Sequence, residues 1–84
     1  MEMYQYLWEK AKKKNCKICG KWLGEVNSPI FHDHLLEKSV YEQFALDERN
    51  LILCCSDCHT LKTNGFTKEK HKELINQAKE ILLK

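Results

Sequence analysis

Residues 50–59, Asn-Leu-Ile-Leu-Cys-Cys-Ser-Asp-Cys-His, decide how this chain folds. A short apolar run leads directly into a pair of cysteines spaced by two residues, and a histidine follows the second cysteine. The apolar run over residues 50–54 predicts a short strand. Ser56 or Asp57 can then cap a helix over about residues 57–63. The stretch therefore predicts a strand followed by a short helix, with thiol groups at the junction.

A second pair of cysteines with the same spacing precedes this stretch, at Cys16 and Cys19. With Cys55 and Cys58 it completes the four soft ligands that a structural zinc ion prefers. The cysteine count of five is odd, and the N-terminal residues lack the basic start and apolar stretch of a secretory signal. We therefore expect a reducing, cytoplasmic location and metal-bound thiolates rather than disulfides. Cys54 is left over and is expected to be buried as a small apolar side chain.

The length of 84 residues predicts one small domain, residues 1–84, with a core that is barely sufficient by itself. Structural zinc binding contributes roughly 10–16 kcal/mol in small zinc-finger peptides, which would compensate for the limited core. No apolar run reaches the roughly 20 residues that a membrane helix requires. The net charge of +2 is only mildly basic, so charge alone is weak evidence for a nucleic-acid partner.

Apolar periodicity predicts an N-terminal helix within residues 1–14 and a C-terminal helix over residues 67–83. The C-terminal helix is expected to pack its apolar face against the N-terminal helix, and His71 is assigned to its exposed polar side. A strand is predicted over residues 30–36. Together with the central stretch, these elements predict an α+β fold whose core, residues 16–64, is flanked by two helices.

One aspartate and two or three histidines are expected to come close together if the two strands pair. His32, Asp33 and His34 are consecutive, and His59 follows directly after Cys58. Carboxylate and imidazole ligands suit a catalytic divalent ion, and a neutral histidine can act as a general base near neutral pH. In an ideal strand His32 and His34 share one face and Asp33 points to the other. The residue pattern therefore leaves either Asp33 or His32 as the ligand.

The sequence Asp33-His34-Leu35-Leu36, followed by residues 50–59, resembles the HNH endonuclease family. The pattern of that family is Asp-His, then Asn-Leu-x-x-x-Cys-x-x-Cys-His, with an earlier Cys-x-x-Cys pair. The resemblance implies a zinc-stabilised ββα-metal (His-Me finger) core. Residues 34–39, His-Leu-Leu-Glu-Lys-Ser, also look like short phage-encoded members.

The resemblance implies roles for the individual residues. His34 matches the general base, Asp33 and His59 match the ligands of a Mg²⁺ or Mn²⁺ ion, and Asn50 matches the asparagine that holds the loop between the strands. It implies metal-dependent hydrolysis of phosphodiester bonds in DNA, with RNA also possible as a substrate. The alternative is a non-catalytic zinc module that binds nucleic acid or a protein.

Lysine side chains are the expected contacts to the phosphate backbone. Such contacts carry little sequence information, so specificity is expected to be low or to come from a protein partner. The candidates are Lys12, Lys13, Lys14, Lys38 and Lys62.

Overall fold

The computed structural model describes residues 2–83, which form three α-helices and one antiparallel two-stranded sheet. The α+β class predicted from the sequence is confirmed. None of the helices in these residues is long and apolar enough to cross a bilayer. The elements are α1 (Met3–Lys10), β1 (His32–His34), β2 (Leu51–Leu53), α2 (Ser56–Thr63) and α3 (Glu69–Leu82).

The two strands are shorter than predicted because a tight turn precedes each of them. A 3₁₀ turn over Pro29–Phe31 leads into β1, and another over Glu48–Asn50 leads into β2. Proline fixes its own φ angle and suits the first position of such a turn. In the hairpin, Asp33 pairs with Ile52. The long connection between the strands therefore begins directly after His34.

Helix α1 ends at Lys10, four residues before the predicted end. The ammonium group of Lys14 donates to the carbonyl oxygens of Trp8 and Ala11, so it satisfies acceptors that a longer helix would have used. Asn15 forms an isolated antiparallel bridge with Trp22, which requires extended backbone at that point. The loop that carries the first cysteine pair therefore starts earlier than the periodicity predicts.

Helix α2 begins at the second cysteine pair. Cys55 is its N-cap, and the Cys55 Sγ atom accepts a hydrogen bond from the backbone N–H of Cys58 at 3.5 Å. The cap is therefore a cysteine rather than the predicted Ser56 or Asp57. The helix ends at Thr63 with Asn64 as its C-cap, and Gly65 follows with φ +85°, a left-handed conformation that glycine adopts without strain.

The buried apolar side chains form two clusters. The first places Trp8 of α1 and Leu53 of β2 around the cysteines. The second places Ala78 of α3 against Leu35 and Leu36, with Leu74, Ile75 and Leu82 packed at its edge. Helix α3 therefore packs on the segment that follows β1 and not on α1 as expected, because Trp8 is used by the cysteine cluster.

Candidate zinc site and active site

The four cysteines of the two pairs lie close enough to bind one ion. Their Sγ atoms all lie within 4.8 Å of one another, and only Cys19 is exposed. The Sγ atoms of Cys19 and Cys55 are 3.6 Å apart. Two sulfurs at tetrahedral positions, each about 2.3 Å from zinc, would be about 3.8 Å apart. The donor set and its spacing therefore fit a structural zinc ion.

Backbone N–H groups favour the ionised form of the first cysteine. Burial opposes ionisation of Cys16, but hydrogen bonds from nearby backbone N–H groups, including that of Ile18 at 3.3 Å, lower its pKa to about 6. A thiolate is the form that binds zinc. In contrast, burial raises the pKa of Cys54, whose side chain is fully buried. The prediction that Cys54 is a buried, apolar side chain is confirmed.

The carboxylate of Asp33 is the centre of a buried polar cluster. Asp33 is only 1% exposed and is contacted by side chains from both α2 and α3. Its Oδ1 atom lies 3.1 Å from Nδ1 of His59. Its Oδ2 atom lies 2.7 Å from Nε2 of His71. The ammonium group of Lys62 contacts both oxygens, at 3.2 and 3.1 Å, and also donates to the carbonyl oxygen of His34. These polar contacts therefore offset the free-energy cost of burying the carboxylate.

Asp33 and His59 are placed as neighbouring ligands of one divalent ion would be. Two ligands at right angles, with bonds of about 2.1 Å, lie about 3.0 Å apart. The observed separation of Oδ1 and Nδ1 is 3.1 Å, and both residues line a cleft of ≈ 730 Å³. One carboxylate and one imidazole suit a catalytic metal. These residues therefore fit a divalent ion, although the ammonium group of Lys62 competes for the same carboxylate.

His34 lines the same cleft as Asp33 and His59. Its Nε2 atom lies 2.9 Å from the carbonyl oxygen of Ala45. A carbonyl oxygen only accepts, so Nε2 carries the proton and the lone pair of the neutral ring lies on Nδ1. The alternation of side chains predicted from the sequence still holds, since the rings of His32 and His34 both lie near the ring of Tyr4. However, His34 is the last residue of β1, so its side chain can line the same cleft as that of Asp33 although the two alternate along the strand.

Asn50 ties the connection between the strands into one structure. Its side chain is fully buried. The Oδ1 atom accepts from the backbone N–H of Leu36 at 2.7 Å. The Nδ2 atom donates to the carbonyl oxygens of Leu36 and Phe44, at 3.1 and 3.2 Å. Ala45, which contacts His34, directly follows Phe44. The amide of Asn50 therefore fixes the backbone that orients the His34 ring.

His32 lies apart from this cluster. Its ring stacks on Tyr4 with a centroid separation of 4.6 Å, and its Nε2 atom lies 2.7 Å from Oδ1 of Asn27. Burial, with a smaller contribution from His34, lowers the pKa of His32. Of the two ligand alternatives that the sequence left open, the structure places Asp33 beside His59 and does not bring His32 there.

The candidate phosphate-binding lysines occupy different places. Lys38 is exposed and lines the cleft of Asp33 and His59. The exposed Lys12 and Lys13 line a second cleft. Lys14 caps the end of α1, and Lys62 contacts Asp33. The structure therefore brings Lys38 and Lys62 to the candidate active site and leaves the other three elsewhere.

The prediction that His71 is exposed is wrong, because its ring is fully buried against Asp33. The sequence contained a signal for this position. His71 precedes Leu74, Ile75 and Ala78 by three, four and seven residues, so it extends the apolar face of α3 by one turn.

The hairpin, α2 and the four cysteines, which could hold zinc, form a small α+β core that is consistent with a ββα-metal fold. A family model described as HNH endonuclease matches residues 16–65, which is more than half of the chain. The chain therefore belongs to the HNH endonuclease family. No curated protein and no solved structure shows a significant match to it. The matched region contains both cysteine pairs, Asp33, His34 and His59, and it ends before α3.

Proposed function

We propose that this protein is a metal-dependent endonuclease that hydrolyses phosphodiester bonds in DNA, with His34 as the general base. Membership of the HNH endonuclease family supports nuclease activity. The observation that carries the proposal is the arrangement in one cleft of a carboxylate, an imidazole beside it, and a second imidazole held through Nε2 by the Ala45 carbonyl.

His34 would accept the proton of the attacking water. The carbonyl of Ala45 holds the Nε2–H group, so Nδ1 is the nitrogen available to the proton. A positioned histidine base contributes typically about 10²–10⁴-fold to the rate of such a reaction. Asn50 would act through the backbone, since its amide holds the carbonyl of Phe44 next to Ala45. In this proposal Asn50 is a positioning residue rather than a base.

Asp33 and His59 would hold a Mg²⁺ or Mn²⁺ ion through the two atoms that face each other at 3.1 Å. When bound there, such an ion neutralises charge on the phosphate and stabilises the leaving oxygen. The four cysteines would hold zinc in a structural role, because zinc ligated by four cysteines has no open position for a substrate. Zinc would thereby support the junction of β2 and α2, from which His59 projects.

Exposed lysines would bind the DNA backbone. Lys38 lines the active-site cleft, and Lys12 and Lys13 provide positive charge at a second cleft. Lys62 would reach a phosphate only after release from Asp33, and Lys14 after release from the α1 carbonyls. Contacts of this kind carry little sequence information, so we expect weak sequence preference unless a protein partner supplies it.

The test is cleavage of supercoiled plasmid by the zinc-loaded protein with added Mg²⁺ or Mn²⁺. His34→Ala is expected to reduce the rate by about 10²–10⁴-fold while bound zinc stays at one ion per chain. Ser39→Ala is a matched control, since Ser39 lines the same cleft but has no role in the proposed chemistry. Equal cleavage by His34→Ala and the unmodified chain would end the assignment. DNA binding without cleavage under any divalent metal would favour the non-catalytic zinc module.

A further inference from the structure

His71 is a fully buried titratable side chain to which the proposed chemistry gives no role. It lies on α3, beyond the region that matches the family model. Its Nε2 atom lies 2.7 Å from Oδ2 of Asp33, and both side chains are 1% exposed. This is the shortest of the contacts that the side chain of Asp33 makes with other side chains in residues 2–83.

The contact with Asp33, and not packing, explains why a histidine occupies this position. An ionised carboxylate only accepts hydrogen bonds, so Nε2 of His71 carries the proton and donates to it. The other ring nitrogen, Nδ1, is buried and has no hydrogen-bond partner within the described part of the chain. A buried polar atom without a partner costs roughly 1–3 kcal/mol. An apolar side chain would fill the space without that cost, but it could not donate to Asp33.

The two oxygens of Asp33 face different histidines, while Lys62 of α2 contacts both oxygens. Oδ2 faces His71 on α3, whereas Oδ1 faces His59 on α2. A hydrogen bond to one oxygen restricts rotation of the carboxylate, and it thereby fixes where the other oxygen lies. The Nε2–H group of His71, together with Lys62, can therefore hold Oδ1 next to Nδ1 of His59, at the edge of the cleft.

We propose that His71 is a positioning residue for the divalent ion, because it holds Asp33 in the orientation in which Oδ1 and His59 Nδ1 can bind one ion together. This inference rests on the proposed function, in which Asp33 and His59 are the ligands. Partners that hold a metal ligand in this way typically contribute about 10–100-fold to metal affinity. Helix α3 thus becomes part of the active site although it lies outside the matched family region.

The packing of α3 supports this role. One turn further along the helix, Leu74 and Ile75 pack on the cluster that contains Leu35 and Leu36. Leu35 and Leu36 directly follow β1, the strand that carries Asp33. The donor on α3 and the acceptor on β1 are therefore held by the same apolar cluster, so their separation does not depend on an exposed loop.

The test compares His71→Gln with His71→Leu in zinc-loaded protein without DNA. Glutamine places an N–H group near the position of Nε2, whereas leucine fills a similar volume without a donor. Binding of Mn²⁺ is measured from the free-ion signal in electron paramagnetic resonance, with zinc content and thermal melting recorded for each variant. His71→Leu is expected to weaken Mn²⁺ binding by about 10–100-fold, and His71→Gln is expected to restore most of it.

Asp33→Asn separates failure of this inference from failure of the proposed function. If the unmodified chain binds Mn²⁺ no better than Asp33→Asn, the proposed ion site itself is wrong. If Asp33→Asn abolishes binding but folded His71→Leu binds Mn²⁺ like the unmodified chain, only the role of His71 is overturned. A role confined to packing would lower the melting temperature of His71→Leu without changing Mn²⁺ affinity, and that result also overturns it. If His71→Leu does not fold, His71→Met takes its place. Weak Mn²⁺ binding by folded His71→Met then supports the role of His71, and Mn²⁺ binding like that of the unmodified chain overturns it.

Discussion

The imidazole of His34 is held by the carbonyl oxygen of Ala45, which lies 2.9 Å from Nε2 and eleven residues further along the chain. The backbone beside Ala45 is in turn held by Asn50, whose Nδ2 atom donates to the carbonyl of Phe44 at 3.2 Å. The orientation of the proposed base thus depends on a side chain directly before β2. This relationship makes Asn50 the most informative position for mutation outside the proposed ligands and base.

Asn50→Ala is expected to lower both stability and cleavage. The substitution leaves the backbone N–H of Leu36 without its buried partner and removes two donors to carbonyl oxygens. We expect a loss of about 3 kcal/mol in the free energy of unfolding, measured by urea denaturation. Plasmid cleavage, measured well below the denaturation midpoint, is expected to fall by about 100-fold, because a misplaced base is costly. Asn50→Ala with unchanged cleavage would show that the Ala45 carbonyl does not depend on Asn50.

Cys16→Ser combined with Cys19→Ser is expected to abolish zinc binding and the folded structure. The two substitutions remove half of the four-sulfur set, so the cluster of Trp8 and Leu53 would lose the ion that the four cysteines are proposed to hold. Zinc is worth roughly 10–16 kcal/mol in small zinc-binding peptides, which exceeds the stability of most domains of this size. The measurements are zinc content and thermal melting by circular dichroism. Cys54→Ser is a matched control that should keep the zinc, and an unchanged melting curve in the double variant would refute the site.

Lys62→Met is expected to change stability and ion binding in opposite directions. The ammonium group contacts both oxygens of buried Asp33, and its loss leaves that carboxylate with less compensating charge. We expect destabilisation of about 3 kcal/mol in zinc-loaded protein without other divalent ions. Binding of Mn²⁺ should become tighter, because a competing cation has been removed. Weaker Mn²⁺ binding would indicate instead that Lys62 supports the ion, and calorimetric titration distinguishes the two outcomes.

His32 is expected to make the protein less stable in mild acid. Burial lowers the pKa of His32 below its usual value of 6.5, so the unfolded chain binds this proton more readily than the folded chain does. The stability contribution is therefore complete above pH 6.5 and is lost as the pH falls below that value. His32→Phe, which can retain the stacking on Tyr4, should show a flatter decline of melting temperature between pH 7 and pH 5. Protonation of the zinc ligands affects both proteins, so parallel curves for the two would contradict the role of His32.

The local patterns in the sequence predicted the two strands, α2 and the two cysteine pairs, because each of these depends on residues close to one another in the chain. The spacing of two residues between paired cysteines is one example. The segment on which α3 packs and the burial of His71 were not predicted, because both depend on which apolar surfaces pack together in the folded chain. The early end of α1 was also missed, since Lys14 satisfies carbonyl groups that periodicity assigns to further helical turns.

The position of Cys55 has a consequence for how an active molecule arises. Cys55 follows β2, caps α2 and faces Cys19, which lies 36 residues earlier in the chain. A bound zinc ion would join these distant segments, and the stretch enclosed between them contains Asp33, His34 and Asn50. If the four cysteines hold zinc as proposed, newly synthesised chains would remain inert until they acquire the ion, so zinc supply as well as the rate of synthesis would set the amount of active protein.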